Sequence, residues 1–368
     1  MHMTNRLRSI RTALWACLCL LPSAPILTGC DAEDDMPVSA EQEELVPLSL
    51  TADLPVSRAD TDGEDSTEEP AEPTTADYLP PVPTSYTMGF FVTEAGTRTP
   101  TFEGYSNMKL GYTPGAANPW DREDLRGGRI FVRKNDSTDV FAYSPHEPGA
   151  LNSDQIPFIW GKDILVSRTR TVAPKETDSI AVCPLEFIHI MTCISVGVKA
   201  DAEGAVLNEV TLHDTKGSTR LGRAGYFSAL YEKVQTEGLR YSDTLSRKSL
   251  NLNLSTAEYK YVYFFFPPIV GAEGGMTGGY ADGDFELNFT FADNKTSTFP
   301  IPNDFNPIGD VSGSTIPISD TGLLPGSCYV IHLTYQTNKA SDTPAATRTI
   351  PAREMQADGC SVHTPDES

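Results

Sequence analysis

At 368 residues the chain can bury two ordinary domain cores. Its 28 glycines and 28 prolines, with few amphipathic periods of helical spacing, favour many short strands joined by turns. The net charge of -22, with no basic stripe to displace counterions from phosphates, argues against a nucleic-acid partner. The acidity is concentrated. Residues 31–77 hold sixteen acidic side chains against Arg58 alone, which reads as a solvated tether.

The N-terminus carries Arg6, Arg8 and Arg11 and then an apolar stretch over residues 13–21. That stretch is too short, and too soon interrupted by Pro22 and Pro25, to span a bilayer; it reads as a signal-peptide core. It ends in Leu27-Thr28-Gly29-Cys30, which resembles the lipobox of bacterial lipoproteins. The resemblance implies cleavage between Gly29 and Cys30 and several acyl chains on Cys30, enough for stable attachment to an outer membrane. Residues 1–29 are thus expected to be the leader and 30–45 an acidic tether. Asp31-Ala32-Glu33-Asp34-Asp35, just past the lipid site, resembles surface-export signals of Gram-negative anaerobes.

From residue 46 the pattern becomes that of strands. Val46, Leu48, Leu50, Ala52 and Leu54 alternate with Pro47, Ser49, Thr51 and Asp53, a half-buried strand whose prolines suit an edge. Residues 59–85, rich in Asp, Glu, Pro and Thr, read as a loop. Strand-like runs follow at 86–93, 129–134, 139–144 and 156–160, and a second group at 185–198, 206–213, 250–254, 259–266, 285–291 and 329–335. Phe227, Leu230, Tyr231 and Val234 share one helical side, so 220–234 is expected to hold a short helix. The charged stretch 168–178 sets the expected boundary between domains 46–178 and 179–336, with a polar tail over 337–368. Heavy side chains sit at odd positions in 185–191 and at even ones in 194–198, a phase change that means a bulge, a bend or burial of both faces.

No hydrolase, zinc-protease or phosphate-loop motif occurs, and the histidines and cysteines lack metal-ligand spacing. No catalytic residue, cofactor or metal is expected. His189, inside an apolar run, reads as a hydrogen-bonded core residue, and Trp160 as core. Ala281-Asp282-Gly283-Asp284 reads as a hairpin turn and not as a calcium loop. Cys183 and Cys193 bracket one extended run, about 30 Å apart at ~3.3 Å per residue, so they are expected to stay free unless the chain doubles back. Cys328 and Cys360 also remain in the mature chain.

Taken in order, several segments resemble the fimbrillin, or Mfa-like, family of Gram-negative anaerobes. They are the lipobox at Cys30, the first strand followed by Arg58-Ala59, Tyr86-Thr87-Met88-Gly89-Phe90-Phe91-Val92, and Tyr105-Ser106-Asn107-Met108-Lys109. Val140-Phe141-Ala142-Tyr143-Ser144-Pro145, Lys162-Asp163-Ile164-Leu165-Val166, Leu185-Glu186-Phe187-Ile188-His189-Ile190-Met191 and Gly326-Ser327-Cys328-Tyr329-Val330-Ile331-His332-Leu333 continue the series. The resemblance implies two tandem transthyretin-like β-sandwich domains, a place in a fimbrium, and partners that are other fimbrial subunits. It also implies Arg-specific cleavage at Arg58–Ala59, removal of the strand bearing Val46, Leu48, Leu50, Ala52 and Leu54, and its replacement by a partner's strand. The tail departs from shaft subunits, being polar and broken by Pro344, Pro351 and Pro365, so a tip or accessory subunit in adhesion, with a host or bacterial surface ligand, is the leading expectation. The alternative is a monomeric glycan-binding surface lipoprotein.

Substituting Cys30→Ala should abolish palmitate labelling of the protein in cells; labelling that persists in that variant would remove the lipid anchor from this reading.

Overall fold

The computed structural model describes residues 44–55, 80–121, 129–217, 221–270, 283–301, 307–308, 322–323, 325–326, 328–337, 349–350 and 355–363, and all their regular structure is β. In chain order the strands are β1 (Leu45–Asp53), β2 (Tyr86–Glu94), β3 (Met108–Tyr112), β4 (Trp120–Asp121), β5 (Phe131–Arg133), β6 (Thr138–Ser144), β7 (Ile156–Ile159), β8 (Leu165–Ser167), β9 (Arg170–Val172) and β10 (Ala181–His189). Then follow β11 (Thr192–Ala200), β12 (Val206–Asp214), β13 (Leu221–Ser228), β14 (Lys233–Val234), β15 (Arg240–Ser242), β16 (Thr244–Arg247), β17 (Leu252–Asn253) and β18 (Lys260–Phe266). The last are β19 (Ile269–Val270), β20 (Phe285–Phe291), β21 (Thr296–Pro300), β22 (Pro307–Ile308), β23 (Gly322–Leu323), β24 (Cys328–Tyr335), β25 (Thr349–Ile350) and β26 (Met355–His363).

The first sheet runs β4-β3-β2-β6-β8-β10-β1-β5, with β9 added on β6. One set of alternate residues, including Phe90, Val92, Val140, Ala142, Leu185 and Phe187, closes on a single core. The other set does not face water. Phe91, Phe141, Tyr143 and Val166 pack under Phe158 of β7 and Phe227 of β13, in a small sheet ordered β14-β13-β15 with β7 on β13. Double-sided burial explains why β6 reads as an unbroken buried run and not as an alternation. The second core lies between a sheet ordered β18-β11-β24-β26-β22 and one ordered β16-β12-β20-β21-β25, with β17 on β12. Ile194, Val196 and Phe264 from the first of these meet Leu212, Leu287 and Phe289 from the second, in face-to-face sandwich packing.

The expected boundary at 178/179 lies just before β10. β10 pairs with β8 and β1 and gives Ala181, Cys183, Leu185 and Phe187 to the first core. The chain crosses over between His189 and Thr192, where the side-chain phase changes, so that change is the passage from one core to the next. The helix expected over 220–234 is absent: β13 and β14 occupy it, with Phe227 buried and Tyr226 exposed on neighbouring positions. β25 and β26 lie within the polar tail.

One close approach fixes how β2 meets β6. Gly89 stands opposite Tyr143, and a Cβ there would overlap the Tyr143 ring. Burial pushes the Tyr143 phenol up to about 12, and its hydroxyl donates to Asn107 Oδ1 at 2.6 Å. Gly89→Ala must displace the ring from that bond, and overpacking of this kind costs ~1–3 kcal/mol. Urea denaturation should show the midpoint falling accordingly; an unchanged midpoint would contradict the packing described.

Candidate functional site

The feature that stands apart from an ordinary sandwich is β1. Its sequence, LVPLSLTAD, gives the alternation that buries Val46, Leu48 and Leu50 to 2%, 2% and 5% exposure. Ala52 and Leu54 pack half-buried against the same core. The backbone of the strand is held in two different ways. Leu45, Val46 and Pro47 pair antiparallel with β5, while Leu48 through Asp53 pair parallel with β10. Pro47, which has no N–H, sits where one pairing gives way to the other, and Leu48 N–H donates to Ile130 O at 2.8 Å. The strand was expected at an edge; in the sheet order it lies between β10 and β5, although each half has a strand neighbour on one side only.

Side chains from outside the strand complete the hold. Trp120 Nε1–H donates to Leu50 O at 3.0 Å, and the Tyr112 hydroxyl reaches Ala52 O at 3.5 Å. The two rings pack on each other at 4.5 Å, and Trp120 sets its edge on Phe90 at 5.4 Å. At the N-terminal end Lys134 N–H donates to Glu44 O at 2.9 Å, and its ammonium pairs with the Glu44 carboxylate at 2.6 Å. The strand therefore fills a groove with β5 and β10 as walls, the first core as floor, and Trp120 with Tyr112 along the rim.

Gly29, Cys30, Arg58 and Ala59 lie outside the described residues; the described segment containing β1 begins at Glu44 and ends at Pro55. Ala281 and Asp282 also lie outside it. His189 has a ring nitrogen 2.7 Å from Asp163 Oδ2. Burial works against its charged form, but the Asp163 charge and hydrogen bond outweigh this and raise its pKa. Trp160 is partly buried, stacked on Phe264 at 6.1 Å with the Arg247 guanidinium 4.9 Å over its ring. Among the described residues no group of three His, Cys, Asp or Glu could hold a metal ion.

The tail strand β26 pairs antiparallel with β24, from Cys328 opposite His363 to Tyr335 opposite Met355, and β22 pairs with its other side. Sequence reasoning missed this strand because its apolar content is low and Pro351 and Pro365 flank it. It also missed Trp120 and Tyr112, which carry no local signal: they meet β1 only because the sheet brings distant segments together. The parallel β1–β10 pairing was equally invisible, since register between segments so far apart leaves no trace in either.

The fimbrillin-like family model matches residues 84–347. No curated protein is significantly similar in sequence. Among solved structures, a fimbrial protein from Bacteroides vulgatus is similar at 13% identity, covering 76% of this chain and 93% of that one, with a TM-score of 0.40. The tip fimbrial protein Mfa3 from Porphyromonas gingivalis, C-terminally truncated, is similar at 11% identity over 75% of this chain and 93% of that one, with a TM-score of 0.35. A candidate cell adhesion protein from Bacteroides ovatus is similar at 12% identity, over 88% and 99%, with a TM-score of 0.49. These scores all lie below 0.5, and the assignment rests on the family match, which spans most of the chain. On that match, the chain belongs to the fimbrillin-like family.

Proposed function

We propose that the protein is a fimbrial subunit of tip or accessory type, exported as a lipoprotein on Cys30 and matured by cleavage after Arg58. Removal of β1 then leaves a groove in the first domain that takes a strand from a partner subunit. The observation that carries this reading is the position of β1, a strand near the start of the mature chain that fills a core it can leave without breaking any other strand's continuity. Val46, Leu48 and Leu50, at ~1.5–3 kcal/mol each, contribute on the order of 5–9 kcal/mol of gross burial. Their loss exposes apolar floor and unpaired edges on β10 and β5, a state that favours strand addition.

The tail supports a terminal place in the fibre. β26 is paired at home between β24 and β22, and its sequence offers few large apolar anchors to a neighbour's groove. A subunit that accepts but does not donate caps a fibre and does not extend it. An adhesive role at the cell surface or on the fimbrium follows from that place.

A second reading, glycan binding, is favoured by Tyr226, Tyr241 and Ile159, exposed at 43%, 44% and 67% on adjacent strands of the small sheet. If it holds, Tyr226→Ala with Tyr241→Ala should remove glycan-array signal while leaving strand uptake unchanged.

For the leading reading, Arg-specific protease should release a fragment beginning at Ala59 from the surface protein. The Ala59-initiated protein should bind a peptide copying residues 46–54, and a peptide with Leu48→Asp should bind at least 100-fold more weakly, since a carboxylate would be buried without a partner. No binding of the parent peptide would sink the groove, and long filaments formed by the Ala59-initiated protein alone would sink the tip assignment.

A further inference from the structure

Outside the groove, β11 and β24 run parallel through the second domain with Cys193 directly opposite Cys328. In this structure both are free thiols, 4% and 7% exposed, and they share a small buried cluster with Val330. Neighbouring strands lie ~4.8 Å apart, inside the ~4.4–6.8 Å between Cα atoms that a disulfide spans. Among the described residues the other two cysteines are not so placed. Cys183 is buried in the first core, and Cys360 stands opposite Ile331 and not opposite Cys328.

We propose that Cys193 and Cys328 form a disulfide in the exported protein. The inference rests on the export reading above, because such bonds persist outside the cytoplasm. In the reaction both S–H bonds break and one S–S bond forms. The two protons and two electrons pass to a disulfide of an envelope thiol oxidant, which becomes a dithiol by thiol–disulfide exchange. Burial and the adjacent thiol hold the Cys193 pKa well above its ordinary value. A closed second domain therefore gives the oxidant no access to either buried sulfur and no thiolate at Cys193, and the bond forms during folding, before β18 and β24 seal around β11. Once formed it is shielded from reductant by the same packing. It ties the strand by which the chain enters the second domain to β24, on which the tail strand pairs. The sheet then stays closed even if the tail strand leaves.

The test refolds reduced, denatured protein in a glutathione redox buffer and maps linked peptides by mass spectrometry without reduction. A Cys193–Cys328 peptide, resistant to dithiothreitol until denaturant is added, is the expected result. Reduction under denaturing conditions, followed by refolding and thiol blocking, should then lower the Tm by about 10 °C, and Cys193→Ser with Cys328→Ser should abolish that difference. Two free thiols at 193 and 328 after refolding, or a link from either to Cys360 or Cys183, would overturn the proposal. Because refolding needs no export, failure of the export reading shows separately, as protein confined to the cytosolic fraction.

Discussion

The architecture depends on the row of Val46, Leu48 and Leu50 pressed into the first core between β10 and β5. Those side chains come from a strand close to the beginning of the described chain, and they meet partners far along it. β10, which takes up the parallel pairing, is also the strand that carries the chain out of the first core and into the second. β1 therefore sets the environment of the strand that joins the two halves. Parallel pairing matters here, because it lets a separate segment be laid in or withdrawn without a hairpin turn to tether it.

The two cores do not sit as independent beads. β7, from the first half of the chain, pairs with β13, from the second, and together they roof the outer face of β2 and β6. The described residues accordingly belong to one compact unit. That roof spares the first sheet an exposed apolar face, and it means that a change in one half can be felt through Phe158 and Phe227 in the other. Within the second sandwich the requirement differs: Gly197 has no side chain, and a Cβ there would lie 2.7 Å from Tyr261 and 2.8 Å from His332. Its absence lets those two meet across β11 with a 3.1 Å hydrogen bond.

What could be read from the sequence was local. The alternation of residues 46–54 identifies β1 and its buried face because period-two burial is written in the strand itself. The phase change near 191 was also visible, but as an ambiguity between a bulge, a bend and two-sided burial; only the fold identifies it as the crossing between cores. Phe227, Leu230, Tyr231 and Val234 mimicked a helix because β13 ends in a turn, and a short strand followed by a turn can place apolar residues at helical spacing. Gly222 and Gly225, where a Cβ would press on Pro267 and Leu239, were the better signal of close strand packing. Trp120 gave no hint of its bond to Leu50 O, since nothing in its neighbourhood reports a contact made across the sheet. The tail's prolines and low apolar content gave no sign of β26, because backbone pairing with β24 needs no large side chains.

The most direct measurement of the central claim is amide hydrogen exchange, comparing the chain that begins at Glu44 with one that begins at Ala59. If β1 is a removable filler of the first core, the shorter chain loses protection at the amides of β10 and β5, and protection in β12 and β20 of the second sandwich is retained. Equal protection of β10 and β5 in both chains would contradict it, because the groove would then close without its strand and leave nothing for a partner to complete.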